Sequence, residues 1–329
     1  MATAAPSSPA SLRGTRLTLV ATTFPLVSNE ELAAPDGAEA FDRVCAAAAA
    51  AGHDALDLSV LHVLLVGKAS VAASLSRHGL RFIAKCYSSG GGCPTGNVAA
   101  LRHAEHAHPP QGRGVADHVA VFAAQVREAA GSPLLRPLLV AVSGQSGRDY
   151  FSDAEADAYL DAADALGAEL GVRVQHETHR HRLLFNPWAA RAAVARRPTL
   201  RLIADLSHYC VICETACDDP DLQEAVAALV PRVTHTHARV GYEEGPQVPD
   251  VADPRWARHV EGHAAWWRAI FRAAAARGDA EVTVTPEFLP HPYGPPGFLR
   301  AETAAANAHI AGVVRAAWAE VVAEEAAAK

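Results

Sequence analysis

The sequence predicts an α/β protein built as a (β/α)8 TIM barrel, and three observations support this fold class. Segments with strand character alternate strictly with alanine-rich amphipathic segments, which is typical of a parallel sheet. The 329 residues contain eight such pairs, and α/β barrels often use this length as one domain. No G-x-G-x-x-G turn follows the first strand, which argues against a doubly wound sheet, the competing architecture.

The first half of the chain supplies four of these pairs. Its strand-like runs lie at residues 16–24, 55–60, 81–89 and 136–144. The helix-like segments lie at residues 41–53, 67–79, 117–131 and 145–171. Gly52 and Gly79 lie where helix C-caps belong, and Ser152 is a natural N-cap before acidic first-turn residues. Capping signals and periodicity therefore predict the same elements.

The second half supplies four more pairs, and each of its strands ends near a potential metal ligand. The strand-like runs lie at residues 173–177, 200–209, 232–240 and 281–288. The helix-like segments lie at residues 186–198, 219–231, 255–278 and 302–328. Side chains alternate along a strand, so the odd-numbered positions of each run share one face. The potential ligands all have odd numbers: Glu177, Asp205, His235, His237 and Glu287. Active sites of this fold lie at the C-terminal ends of the strands, so we expect these side chains to converge.

We expect one barrel domain over residues 16–329, preceded by a disordered N-terminal tail of residues 1–15. The tail reads MATAAPSSPASLRGT and lacks the apolar segment of a secretory signal. A short organelle-targeting sequence is the alternative interpretation of this tail.

Composition limits the partners of the chain. The net charge of −7 and the pI of about 6.2 argue against a nucleic-acid partner, whose binding face is normally basic. No apolar run reaches the length of a membrane span. The six cysteines are irregularly spaced, which predicts a reducing compartment, and we expect a cytoplasmic protein. The oligomeric state is left open, with a homo-oligomer as one option.

Three of the cysteines, Cys210, Cys213 and Cys217, follow Asp205 closely as C-x-x-C-x-x-x-C. We expect buried free thiols here, because no second close pair completes a zinc ribbon. A thiolate metal site or a redox site is the alternative.

The potential ligands at the strand ends predict a metal centre. Carboxylates that point into a barrel are costly to bury unless a cation or arginines balance them, and we favour a cation. Carboxylate and imidazole donors suit Mn²⁺ first, with Mg²⁺, Co²⁺ and Zn²⁺ as alternatives. His235 and His237 share a face, and we choose His237 as the ligand because it lies nearer the mouth of the barrel.

Four motifs of the second half resemble the xylose-isomerase-like TIM barrels, a superfamily that includes sugar-phosphate isomerases and epimerases. These motifs are HETHRHR, DLSHY, HTHARVGYEEGPQVPD and TPEFLPHPYG. Matched by motif, the resemblance implies four metal ligands: Glu177, Asp205, His237 and Glu287. It also implies that His208 orients the substrate, and it assigns Arg239 to substrate binding, although the basic residue of the ketose epimerases lies further beyond the histidine.

The function that we expect is a divalent-metal-dependent isomerase or epimerase of a sugar, keto-sugar or polyol. Glu177 and Glu287 would act as acid and base on an enediolate. Lys85, near the end of the third strand, could act as a base or contact the substrate, and a surface lysine is the alternative interpretation. His235 could also contact the substrate.

Three other functions are alternatives to an isomerase. The same enediolate could expel a β-substituent, which would make the protein a dehydratase or lyase. A hydrolase like the AP endonucleases would need further ligands on strands one to four, and their ends (TTFP, LSVLH, CYSS and SGQS) offer no such set. A non-catalytic barrel is the third alternative.

Overall fold

Eight parallel strands close into a barrel in their order along the chain. The computed structural model describes residues 11–88, 114–291 and 293–328. The strands, β1 to β8, are Arg16–Thr22, Ala55–Ser59, Arg81–Tyr87, Leu139–Gln145, Val174–Glu177, Leu202–Ala204, Val233–Ala238 and Glu281–Pro286. Each pairs in parallel with its neighbours, and β8 pairs with β1 to complete the ring. The predicted (β/α)8 fold is therefore confirmed.

The helices lie outside the ring and cover it. Those in the described residues, α1 to α11, are Asn29–Ala33, Gly37–Ala50, Val60–Val66, Lys68–Arg77, Val115–Ala130, Asp153–Leu170, Pro187–Arg196, Ser207–Cys213, Pro220–Leu229, Ala257–Arg277 and Arg300–Ala327. Eight of them correspond to the predicted helices. The other three, α1, α3 and α8, are short and lie in segments that the alternation pattern assigned to strands or loops.

The sixth strand differs most from its prediction. The run 200–209 was predicted as one strand, but β6 ends at Ala204 and α8 begins at Ser207. Asp205 causes this break, because its Oδ1 atom accepts hydrogen bonds from the backbone N–H and the hydroxyl of Ser207. Such a local bond competes with extended structure and turns the chain. His208 therefore lies on a helix.

The interior of the barrel is polar below the strand ends. Thr234 donates a hydrogen bond to Gln175 Oε1 at 2.8 Å, and His235 lies between the hydroxyls of Thr283 and Thr285. The hydrophobic core lies mainly between the ring and the helices, where residues such as Trp267 of α10 are fully buried. A hydrogen-bonded layer thus supports the residues at the mouth.

The described structure begins inside the predicted tail. Residues 1–10 lie outside the described part of the chain, whereas Leu12 is buried and Arg13 pairs with Glu325 of α11. This end of the tail therefore packs against the barrel. No single helix in the described ranges is long and apolar enough to cross a membrane, although α3 and α4, bent by 101° at their junction, pass the length and composition criteria together.

Candidate metal centre

Four side chains from consecutive strands meet at the C-terminal mouth of the barrel. Glu177 ends β5, Asp205 directly follows β6, His237 is next to last in β7, and Glu287 directly follows β8. All four are buried, and one potential ligand atom from each lies within 4.8 Å of those of the others. The ring of strands thus brings together residues that are up to 110 positions apart in the sequence.

His237 lies between the two glutamates. Its Nδ1 atom is 3.3 Å from Glu177 Oε1 and 3.1 Å from Glu287 Oε2. Its other nitrogen, Nε2, is 3.5 Å from Oδ2 of Asp57 on β2. The imidazole therefore faces the glutamates with one nitrogen and a third carboxylate with the other.

The second oxygen of each glutamate is held by a side chain of the barrel wall. Oε2 of Glu177 accepts a hydrogen bond from Gln145, whose own Oε1 accepts one from Arg182 at 3.0 Å. Oε1 of Glu287 accepts one from Lys85 Nζ at 2.8 Å. Each carboxylate is thus fixed by one oxygen and presents the other toward Nδ1 of His237.

Asp205 is held through both of its carboxylate oxygens. Oδ1 accepts from Ser207, and Oδ2 accepts a charge-assisted bond from Arg239. Its backbone N–H donates to Thr178 Oγ1 at 2.9 Å. Gly241 allows this arrangement, because a Cβ atom there would lie 2.5 Å from the carbonyl oxygen of Ser207. The loop after β7 can therefore press against the start of α8.

His208 and Arg239 lie together beside Asp205. Nη2 of Arg239 is 2.8 Å from His208 Nε2, and the guanidinium stacks over the ring of Tyr293 at 4.8 Å. The ring of His179 lies 3.8 Å from that of His208. Within the described residues, His208 Nδ1 and Arg239 Nη1 are buried without a hydrogen-bond partner. Donors and acceptors are therefore left for a polar molecule at the mouth.

The other two predicted site residues have different surroundings. Lys85 is buried, with Nζ 2.7 Å from Asp57 and 2.8 Å from Glu287. Both ring nitrogens of His235 are engaged by threonine hydroxyls, at 2.8 and 3.1 Å. The structure therefore brings Lys85 to the edge of the cluster and leaves His235 in the supporting layer below it.

No family model and no curated protein sequence matches the chain. Several solved structures match the chain in fold. A xylose isomerase domain protein from Alicyclobacillus acidocaldarius is 13% identical with a TM-score of 0.55, over 92% of this chain and 99% of that one. D-allulose 3-epimerase from Methylomonas sp. is 15% identical with a TM-score of 0.55, over 91% and 96%. L-ribulose 3-epimerase is 16% identical with a TM-score of 0.54, over 92% and 95%.

This chain has the same (β/α)8 barrel fold as these structures. The matches extend over nine tenths of the chain, so the likeness concerns the whole barrel rather than one βα unit.

Carboxylates outnumber permanent cations among the groups that meet at the mouth of this barrel. Among the described residues, four carboxylates meet there, from Asp57, Glu177, Asp205 and Glu287, and two permanent cations face them, from Lys85 and Arg239. In the form that binds metal, with the carboxylates ionised and His237 neutral, these groups sum to −4 + 2, or −2. One divalent cation would balance that sum.

The pKa of His237 reflects the carboxylates around it, whereas burial is the main cause of the pKa shifts of Asp205 and His208. Burial raises the pKa of Asp205, and it outweighs the opposing effect of Arg239. Burial would lower the pKa of His237, but Glu287 and Glu177 hold that pKa well above its ordinary value. Burial, together with His179 and Arg239, lowers the pKa of His208 far below the usual value, so its imidazole is neutral. Carboxylate and imidazole donors with a residual charge of −2 fit a divalent ion.

Three residues of the site escaped the sequence analysis: Asp57, Gln145 and Tyr293. Asp57 is a carboxylate within the otherwise apolar run ALDL, a weak signal that alternation alone could have found. Gln145 ends β4 just as Glu177 ends β5. Tyr293 lies in a loop, and no local pattern relates it to Arg239. Its contact depends on how the loop after β8 folds over the mouth.

Proposed function

We propose that this protein is a divalent-metal-dependent isomerase or epimerase of a sugar, keto-sugar or polyol. The observation that carries the proposal is the pair of glutamates on either side of His237, each with one oxygen anchored and the other directed inward. Two opposed carboxylates suit a reaction that removes a proton from carbon and returns one. Two of the matched structures, D-allulose 3-epimerase and L-ribulose 3-epimerase, are named for such chemistry, which supports the proposal.

Glu177, Asp205, His237 and Glu287 would hold the ion, and Mn²⁺ is our first choice, with Mg²⁺, Co²⁺ and Zn²⁺ as alternatives. When bound, the ion supplies positive charge beside the substrate oxygens, which makes the intervening C–H group more acidic. In the metal groups of the described residues, β1 to β4 contribute no ligand. The further ligands on these strands that a hydrolase like the AP endonucleases would need are therefore not found among the described residues, although Glu177 also forms a group of potential ligands with His179 and His208.

The two glutamates would carry the proton. Glu177 would take a proton from the carbon between two substrate oxygens and become protonated. A protonated Glu287 would give a different proton to that carbon, from the opposite face when the product is an epimer, and would be left ionised, and exchange with water would reset both groups. Gln145 and Lys85 keep the carboxylates in place during both transfers, because each holds the oxygen that does not face the centre.

The remaining residues would position the substrate and the acid–base groups. His208 and Arg239 have buried, unused polar atoms and would bond substrate hydroxyl or carbonyl oxygens. Lys85 lies between two carboxylates, so it would hold Glu287 as an ammonium group rather than act as a base. His235 would act indirectly, by supporting the strand that carries His237.

The experiment is a screen of keto-sugars in D₂O with protein that has been stripped of metal and reloaded with Mn²⁺. We expect deuterium to enter one carbon of a turned-over sugar without loss of water, and to do so only in the loaded protein. Loss of water or of a β-substituent would indicate the dehydratase or lyase alternative. Deuterium exchange at the same rate in the stripped protein would refute the metal-dependent proposal.

A further inference from the structure

A second group of potential metal ligands lies behind the substrate-binding side of the mouth. Cys210 of α8, Cys217 of the following loop and His263 of α10 are at most 3% exposed, and one ligand atom from each lies within 4.8 Å of the others. The two Sγ atoms are 3.8 Å apart, so no disulfide bond joins the two cysteines. Cys217 Sγ is 3.1 Å from Nδ1 of His263 and 4.0 Å from its Nε2.

These separations suit a tetrahedral ion. With metal–sulfur distances of about 2.3 Å and metal–nitrogen distances of about 2.0–2.1 Å, two ligand atoms on a tetrahedron lie about 3.5–3.8 Å apart. The observed 3.8 Å and 4.0 Å are within a few tenths of an ångström of that range. A movement of the Cys217 thiol from Nδ1 toward Nε2 of His263 would complete three corners of a tetrahedron.

The carbonyl oxygen of His259 can fix the tautomer in which Nε2 of His263 is the ligand atom. Nδ1 lies 2.9 Å from the carbonyl oxygen of His259, one helical turn earlier, to which it can donate a proton. Nε2 then carries the lone pair, and at present it accepts a bond of 3.3 Å from the N–H of Gly241. Metal-bound histidines commonly donate their other N–H to a carbonyl in this way.

We propose that Cys210, Cys217 and His263 bind Zn²⁺ or a similar thiophilic ion, at a structural site separate from the carboxylate centre. A water molecule would take the fourth position. The inference does not depend on the proposed function, because none of the three residues belongs to the carboxylate cluster.

The surface beside the thiols favours a cation. A surface cleft beside Cys217 is lined by Glu214, Asp218, Asp219 and Glu243, with Arg258 as its one basic residue. Such a lining raises the local concentration of cations at the entrance.

An ion at this position would join two elements around the mouth. Cys210 lies on the same short helix as Ser207 and His208, whereas His263 lies on α10. The loop after α8 already approaches α10 closely, because a Cβ atom at Gly262 would lie 2.6 Å from Cβ of Cys217. The ion would hold α8 against α10 and so keep His208 beside Arg239.

Titration of the reduced full-length protein with Co²⁺, followed by absorption, tests the proposal. Bound thiolates give sulfur-to-cobalt charge-transfer bands in the near ultraviolet, whereas the carboxylate centre contains no sulfur. We expect these bands in the wild-type protein, at one ion per chain, and displacement of that ion by one equivalent of Zn²⁺. Asp205→Asn should keep the bands, which separates this site from the carboxylate centre.

Variants identify the ligands. Cys210→Ser and Cys217→Ser should each lose most of the charge-transfer intensity, and His263→Gln should bind Co²⁺ at least tenfold more weakly. Cys45→Ser, which removes a buried thiol of α2, should leave the spectrum unchanged. A wild-type protein that binds Co²⁺ without charge-transfer bands would overturn the proposal. That measurement uses only the wild-type protein, so it holds even if a variant fails to fold. An equal loss of charge-transfer intensity in Cys45→Ser would overturn the proposal as well.

Discussion

Asp57 contacts both Lys85 of β3 and His237 of β7, two strands that do not pair with each other. Its carboxylate is 2.7 Å from Lys85 Nζ and 3.5 Å from His237 Nε2, and Lys85 in turn holds Glu287. A carboxylate on the far nitrogen of a metal-binding histidine fixes the tautomer and the ring orientation. Asp57 would therefore leave Nδ1 of His237 free to bind the ion.

Asp57→Asn tests this role. The amide is a weaker partner for a ring N–H, so we expect the affinity for Mn²⁺ to fall about 10–100-fold, as is typical when a residue supporting a ligand is changed. Competition with a chelator would measure it. Asp221→Asn, at an exposed position on α9, is the control and should bind Mn²⁺ like the wild type. Unchanged affinity in the Asp57 variant would show that Asp57 only neutralises Lys85.

Proton transfer and substrate orientation can be separated at Glu177 and His208. Glu177→Gln keeps an oxygen ligand but removes the base. Mn²⁺ binding should weaken modestly, while turnover falls about 10²–10⁴-fold, the usual contribution of a general acid or base. His208→Ala should raise KM and slow turnover with Mn²⁺ fully bound. Both variants would be scored for metal content and for deuterium exchange. Wild-type exchange in Glu177→Gln would eliminate the mechanism with two glutamates.

At the scale of elements, the carboxylate of Glu281 joins three strands at the N-terminal end of the barrel, opposite the mouth. Glu281, the first residue of β8, accepts two hydrogen bonds from Arg81 of β3, at 2.7 and 2.9 Å. It also accepts bonds from Arg16 and Thr18 of β1. Burial would raise the pKa of Glu281, but these bonds outweigh burial and lower the pKa from 4.5 to about 2.

This shift predicts a dependence of stability on pH. Because the pKa is lower in the folded state, the stabilisation is complete above the unfolded value of 4.5 and is lost as the pH falls toward 2. Glu281→Gln should lower the free energy of unfolding by about 2–3 kcal/mol at pH 7, with a smaller difference at pH 3.5. Urea unfolding at pH 7 and at pH 3.5 measures this difference in the free energy of unfolding.

Glu224→Gln is the matched control for Glu281→Gln, since it breaks an exposed ion pair with Arg191. It should change the stability by less than about 1 kcal/mol at either pH. A constant difference between wild type and Glu281→Gln from pH 7 to pH 3.5 would contradict the assigned cause.

The elements also show which features a sequence can predict. Alternation and capping predicted all eight strands, because both are local signals. They did not predict α8, since the break after β6 depends on a bond between the side chain of Asp205 and Ser207. The carboxylates and histidines at the strand ends could be identified as potential ligands from their positions in the strands, with His235 as a candidate beside His237. The contacts of Asp57 and Lys85 with β7 and with Glu287 beyond β8 span about half of the chain or more, and no local pattern records them.

For the whole molecule, the negative charge at the mouth should make folding depend on the ion. A ligand that binds only the folded state stabilises it by about 2.7 kcal/mol at 100 times its Kd. Mn²⁺ added to metal-stripped protein should then raise the Tm by roughly 5 °C. Mn²⁺ is a poor ion for thiolates, so the cysteine cluster contributes little. Asp205→Asn should lose this rise, and an equal rise in the variant would place the bound Mn²⁺ elsewhere.

The contact between Arg13 and Glu325 has a consequence for protein engineering. These side chains are 2.8 Å apart, so residues 11 and 328 can be joined by a short glycine–serine linker on the outer surface of the ring. The chain could then be reopened between Pro198 and Thr199, an exposed turn away from the mouth, with the loss of one bond from the Leu200 N–H to Arg197. Such a circular permutant keeps every strand pair, including β8 with β1, and should retain the native circular dichroism spectrum. It would place new termini beside β6, where a fused domain could be attached without obstructing the carboxylate centre.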